Sequence, residues 1–112
     1  MDNSAPIIFE HNTIALSQKE LREFCTRWKI SELSLFGSIL REDFGPDSDM
    51  DFLVSFAPDS DWTLLDHIQM EEELSALLNR PVDLVSRRAV ENSRNPIRRR
   101  AILSTAQVIY AT

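Results

Sequence analysis

The stretch 35-LFGSILREDFGPDSDMDFLV-54 decides how this chain is read. An apolar run ends at Gly37, a polar segment follows, and the chain re-enters an apolar run that carries Asp49 and Asp51 with it. Placing carboxylates beside Phe52, Leu53 and Val54 is costly unless something cationic compensates. In a strand the side chains alternate, so Asp49 and Asp51 point to one side while Met50 and Phe52 point to the other. Two acids so placed repel each other unless a divalent cation lies between them. Hard oxygen ligands suit Mg²⁺, which binds one or two carboxylates together with substrate phosphates.

Both flanks of the stretch add to that reading. Upstream, Gly37-Ser38 follows a predicted strand and precedes a predicted helical turn, where a glycine lets backbone approach a phosphate and free N–H groups form an anion site. The chain has two glycines, Gly37 and Gly45, and both lie in this segment. Downstream, Asp83 stands between Val82 and Leu84 in a third predicted strand. If that strand neighbours the second, three carboxylates converge on one spot. A phosphate cradle beside a carboxylate metal site is the equipment of two-metal nucleotidyl transfer. His11 and His67 stand alone and no Cys/His cluster accompanies them, which argues against zinc.

The remaining elements follow from local signals. Ser17 opens a helix, with Glu20 in capping-box spacing and Leu21, Phe24, Cys25 and Trp28 on one apolar stripe. Ser34 to Phe36 reads as a short strand and Met50 to Phe56 as one buried on both faces. Asp61 is the expected N-cap of a helix running to Leu78. Its expected buried side is Leu64, Ile68, Leu74, Leu77 and Leu78, with Glu71, Glu72 and Glu73 largely solvated. Asn79 suits a left-handed C-terminal position, and Pro81 stops the helix. Val82 to Val85 is the third strand, Asn95-Pro96 opens a helix through Ser104, and Val108 to Tyr110 closes the chain. The predicted fold class is α/β, a small mixed sheet with packed helices. Residues 1–16 are an N-terminal extension, with Ile7, Ile8 and Phe9 as a short strand or arm, and residues 17–112 are a single domain.

Composition narrows the function classes. The 112 residues contain 43% apolar and 27% charged side chains, enough for one hydrophobic core. No apolar run reaches transmembrane length. The acidic N-terminus lacks the basic segment of a secretory signal, and the single Cys25 cannot form an internal disulfide, so a cytoplasmic setting is expected. The net charge of −6 hides an asymmetry: residues 1–79 hold 5 Lys/Arg against 16 Asp/Glu, residues 80–112 hold 7 against 2. An acidic body repels a long polyanion, so stable nucleic-acid binding is not expected. Arg98, Arg99 and Arg100 remain as a patch for a partner or a short anion.

The spacing Gly37-Ser38, ten residues, Asp49-Met-Asp51 matches the signature of the DNA polymerase β-like nucleotidyltransferase superfamily. With "ELSALLNRPVDLVS" and "NPIRRRAILSTAQVIYA", the chain resembles the minimal nucleotidyltransferases over roughly residues 17–111. The resemblance implies that Gly37, Ser38 and Arg41 hold the triphosphate of ATP. It implies that Asp49, Asp51 and Asp83 bind Mg²⁺, with Asp83 helping to deprotonate an attacking hydroxyl. It further implies an antitoxin that transfers AMP onto a tyrosine of a HEPN-domain RNase toxin. Glu42 departs from the glycine many members carry there. The domain lacks the extra module with which larger relatives enclose a second substrate, which favours an acceptor presented by a partner protein. The alternative is a catalytically idle module that blocks its partner by contact alone.

Overall fold

The computed structural model describes residues 6–9, 12–40, 44–45 and 48–112. Strands β1 (Pro6–Phe9) and β2 (Asn12–Ser17) form an antiparallel pair and run directly into helix α1 (Gln18–Arg27). Ser17 accepts a hydrogen bond from the Glu20 N–H at 3.1 Å, and the Glu20 carboxylate accepts from the Ser17 N–H at 3.2 Å. This reciprocal box satisfies two of the donors a helix start leaves open. Leu21, Phe24 and Cys25 are buried as the stripe predicts, and Trp28 becomes the C-cap.

The main sheet has the order β5-β4-β3-β6, built from β3 (Ile30–Phe36), β4 (Met50–Phe56), β5 (Val82–Ser86) and β6 (Gln107–Ala111). Strand β3 pairs antiparallel with both β4 and β6, whereas β4 and β5 are parallel. A parallel neighbour needs a crossover, which helix α2 (Leu64–Leu78) supplies. Strand β4 lies inside the sheet, which is why it is apolar on both faces. Phe52 and Val54 enter the larger core with Phe24, Leu33, Leu35, Met70, Leu74 and Leu84, while Leu53 enters a smaller core with Phe36, Val90 and Ile102. Ile14 and Leu16 of the N-terminal hairpin are buried in the larger core.

Several expectations are corrected. Strand β3 begins at Ile30 rather than Ser34, because Glu32 is accommodated opposite Ser55 and beside Arg87. The N-cap of α2 is Thr63, not Asp61. Its Oγ1 accepts from the Asp66 N–H at 3.2 Å while Asp66 accepts from the Thr63 N–H at 2.9 Å, the same box as at α1. The buried line of α2 is Met70, Leu74 and Leu78, whereas Leu64 is 76% and Ile68 42% exposed. Glu71 and Glu73 are half-buried and engaged: Glu71 accepts from the Leu84 N–H, and Glu73 receives Arg27 and the Trp28 indole. A further helix, α3 (Arg87–Glu91), precedes α4 (Pro96–Thr105), and the sequence reading did not separate it. Asn79 adopts the left-handed conformation, with φ 55 and ψ 44, and Asn95 caps α4 by accepting from the Arg98 N–H at 3.1 Å. Among the described residues no helix is long and apolar enough to cross a membrane.

Candidate active site

The site grows from the register of three strands. Phe36, the last residue of β3, is the cross-strand partner of Asp51, and Asp51 is in turn the partner of Asp83 on β5. Adjacent strands lie about 4.8 Å apart, so Gly37, Asp51 and Asp83 make a row across the sheet. Strand alternation puts Asp51, Leu53, Asp83 and Val85 on one face. That face is closed toward the C-terminal ends of β4 and β5 by Val90 of α3 and Ile102 of α4 over Phe36 and Leu53. The acids occupy the uncovered part. Asp51 is half-buried, Asp83 is exposed, and Asp49 is exposed one residue before β4 begins.

Gly37 shows why the chain needs a glycine there. Its φ is +75°, a region L-residues rarely enter. A Cβ at this position would run into the Asp51 carboxylate oxygen, with Asp51 Cγ at 3.1 Å and Asp51 Cβ at 3.3 Å. The absent side chain thus leaves room for the carboxylate to lie against the backbone that opens the short 3-10 helix Gly37–Leu40. The predicted glycine and the predicted acid are direct neighbours.

The structure brings Asp51 and Asp83 together but does not gather a compact trio. Among the described residues no group of three or more Asp, Glu, His or Cys side chains is arranged to hold a metal ion. The in-register pair nonetheless has the right donor chemistry for Mg²⁺, which takes one or two carboxylates and completes its shell with water and phosphate oxygens. Two carboxylates that share a site repel each other, and a cation bound between them would offset that repulsion. Arg41 lies outside the described residues, as does the side chain of Ser38. His67 is engaged with the backbone of β5: its Nε2 is 2.7 Å from the Leu84 carbonyl, and since a carbonyl only accepts, Nε2 carries the proton.

Three residues that support the site escaped the sequence reading. Arg80 donates from Nη1 to the carbonyls of Gly45 and Ser48, each at 3.3 Å, and its guanidinium lies 4.7 Å from the centre of the Phe44 ring. It ties the segment leading into Asp49 to the end of α2. Glu71 and His67 take the N–H and C=O of Leu84, the backbone groups that edge strand β5 turns away from β4. Their spacing of four residues on α2 was the available signal, because it puts a donor and an acceptor on one helix face. Asp83 precedes Leu84 directly, so this clamp holds it in register.

The family model described as nucleotidyltransferase domain matches residues 18–109. Protein adenylyltransferase MntA of Thermococcus cleftensis is 41% identical over 75 residues, which are 67% of this chain and 71% of that protein. A solved minimal nucleotidyltransferase is 34% identical and superposes with a TM-score of 0.60, over 80% of this chain and 85% of that one. A chain from the complex of tri-AMPylated Shewanella oneidensis HEPN toxin with MNT antitoxin superposes with a TM-score of 0.59, over 84% of this chain and 69% of that one. At 19% identity that last likeness speaks for the fold alone. The chain belongs to the nucleotidyltransferase domain family, as one of its minimal nucleotidyltransferases.

Proposed function

We propose that this chain transfers AMP from ATP to a tyrosine hydroxyl of a HEPN-domain toxin and thereby neutralises it as an antitoxin. The observation that carries the reading is the row Gly37–Asp51–Asp83, a left-handed glycine packed against one acid that stands in register with a second. The relative MntA, named a protein adenylyltransferase, supports the acceptor class. The likeness in fold to a chain from a complex with an AMPylated HEPN toxin agrees with the partner.

In this reading the backbone at Gly37 and Ser38 cradles the triphosphate, with Arg41 as a further phosphate contact. Asp49, Asp51 and Asp83 would hold Mg²⁺, which when bound neutralises the phosphates and the carboxylates together. Asp83 orients the acceptor hydroxyl and takes its proton. The hydroxyl oxygen forms the new bond to the α-phosphorus, and the bond from that phosphorus to the oxygen bridging toward the β-phosphate breaks, releasing pyrophosphate. The protein's residues position the substrates, which together with the charge neutralisation Mg²⁺ would supply is most of what phosphoryl-type transfer requires.

The test is mass spectrometry of the partner toxin after incubation with this protein, ATP and Mg²⁺. Each transfer adds about 329 Da, the mass of AMP joined with loss of pyrophosphate. Asp51→Asn is expected to abolish the increase while leaving the complex intact. A toxin inhibited with no mass change, and equally by the Asp51→Asn protein, would reject enzymatic transfer and leave inhibition by contact.

A further inference from the structure

A cavity of about 150 Å³ lies between α3 and α4, and the reaction as proposed does not use it. Val85, Val90 and Ile102 form its apolar lining, and Ser93, Arg98 and Arg99 give it a polar side. Val85 is two residues beyond Asp83 on β5, so the cavity shares the face that bears the acids, about 6.6 Å further along the strand. Arg99 is fixed, its Nη1 donating to the Ser93 carbonyl at 2.6 Å. The Arg98 guanidinium is exposed and has no hydrogen-bond or ion-pair partner among the described residues.

Its place in the row indicates which substrate it serves. Displacement at phosphorus is in line, so the acceptor enters opposite the departing pyrophosphate. If the triphosphate rests at Gly37, on the β3 side, the acceptor approaches from the β5 side, past Asp83. The cavity lies on that side. Its volume is enough for a benzene-sized ring. A guanidinium over an aromatic face adds cation–π attraction. Serine or threonine would leave the apolar lining unfilled, because their hydroxyls sit one bond from the Cβ.

We infer that the α3–α4 cavity receives the aromatic ring of the acceptor side chain, with Arg98 as the positioning residue that selects a phenol over an aliphatic hydroxyl. The inference rests on the transfer reaction proposed above and adds to it where the acceptor ring is held. A ring over Val85 directs its para oxygen back along β5 to the Asp83 carboxylate, which takes the proton as the oxygen bonds to phosphorus.

Two measurements test it. In the first, p-cresol is titrated into the protein carrying ¹³C-labelled methyl groups. The methyls of Val85, Val90 and Ile102 are expected to shift, and Ala89→Phe, which fills the cavity from an exposed position on α3, is expected to remove the shifts. Unmoved methyls in the unaltered protein would overturn the inference. In the second, AMP transfer to the toxin is followed by mass. Ala89→Phe is expected to lower kcat/KM at least tenfold with the ATP–Mg²⁺ thermal shift retained. Arg98→Ala is expected to raise KM for the toxin more than it lowers kcat, and Arg98→Lys to restore part of the loss. Transfer by Ala89→Phe at the unaltered rate would overturn the inference. Cresol shifts in a protein that transfers nothing would reject the adenylylation reading and leave the ring site standing.

Discussion

Replacing Gly37 by alanine tests the centre of the site with a single methyl group. Two costs follow from the geometry. At φ +75° an L-residue is in the left-handed region, which costs roughly 1–2 kcal/mol. The new Cβ also occupies the place of the Asp51 carboxylate, whose Cγ would be 3.1 Å away, so Asp51 must turn off its rotamer at a cost of about 0.5–1.5 kcal/mol. Together these predict a loss of about 2–3 kcal/mol, or roughly 8–12 °C in Tm for a domain of this size. Urea unfolding and calorimetry measure it directly. Asp51→Ala separates the two costs, because it removes the carboxylate and leaves the φ penalty. The double-mutant cycle is expected to show a coupling of about 1 kcal/mol. A loss below about 0.5 kcal/mol in Gly37→Ala, or strict additivity with Asp51→Ala, would refute the assignment of Gly37 as the residue that makes room for the acid.

Further outcomes are expected at three residues. Arg80→Ala removes the two bonds to Gly45 and Ser48 and the contact with Phe44, and is expected to cost about 1–2 kcal/mol and weaken the ATP–Mg²⁺ thermal shift; an unchanged shift would show that the segment before Asp49 holds itself. Glu71→Ala strips the acceptor from the Leu84 N–H, and hydrogen exchange at that amide is expected to accelerate with a loss of about 1–2 kcal/mol, while Glu71→Gln, which keeps an acceptor, loses less. Equal losses in the two variants would count against the clamp on β5. Burial pushes the Cys25 thiol up to about 12, so it is expected to resist iodoacetamide in the native protein at pH 8 and to react once the chain is unfolded. Because the folded value is raised above 9.0, stability is expected to fall as pH rises from there toward 12, the unfolded chain releasing its proton first.

The sequence by itself determined what closes over three or four residues. Ser17 with Glu20, Asn79 before Pro81, and Asn95 before Pro96 are caps whose donors and acceptors are local, so they form wherever the helices pack. The apolar run of β4 required burial on both faces, and the spacing from Gly37 through Asp49 to Asp51 pointed to the candidate site. Tertiary structure decided the rest. Asp83 stands beside Asp51 only because α2 returns the chain parallel to β4, and no pattern within β5 states that register. The rotation of α2 was equally illegible. Leu64 and Ile68 look like core residues, but the edge of β5 presents an N–H and a C=O that need partners. Turning His67 and Glu71 toward that edge commits Met70 and Leu74 to the core. The cost of leaving backbone groups unsatisfied outweighed the periodicity of the leucines, and that balance exists only once strand and helix are in contact.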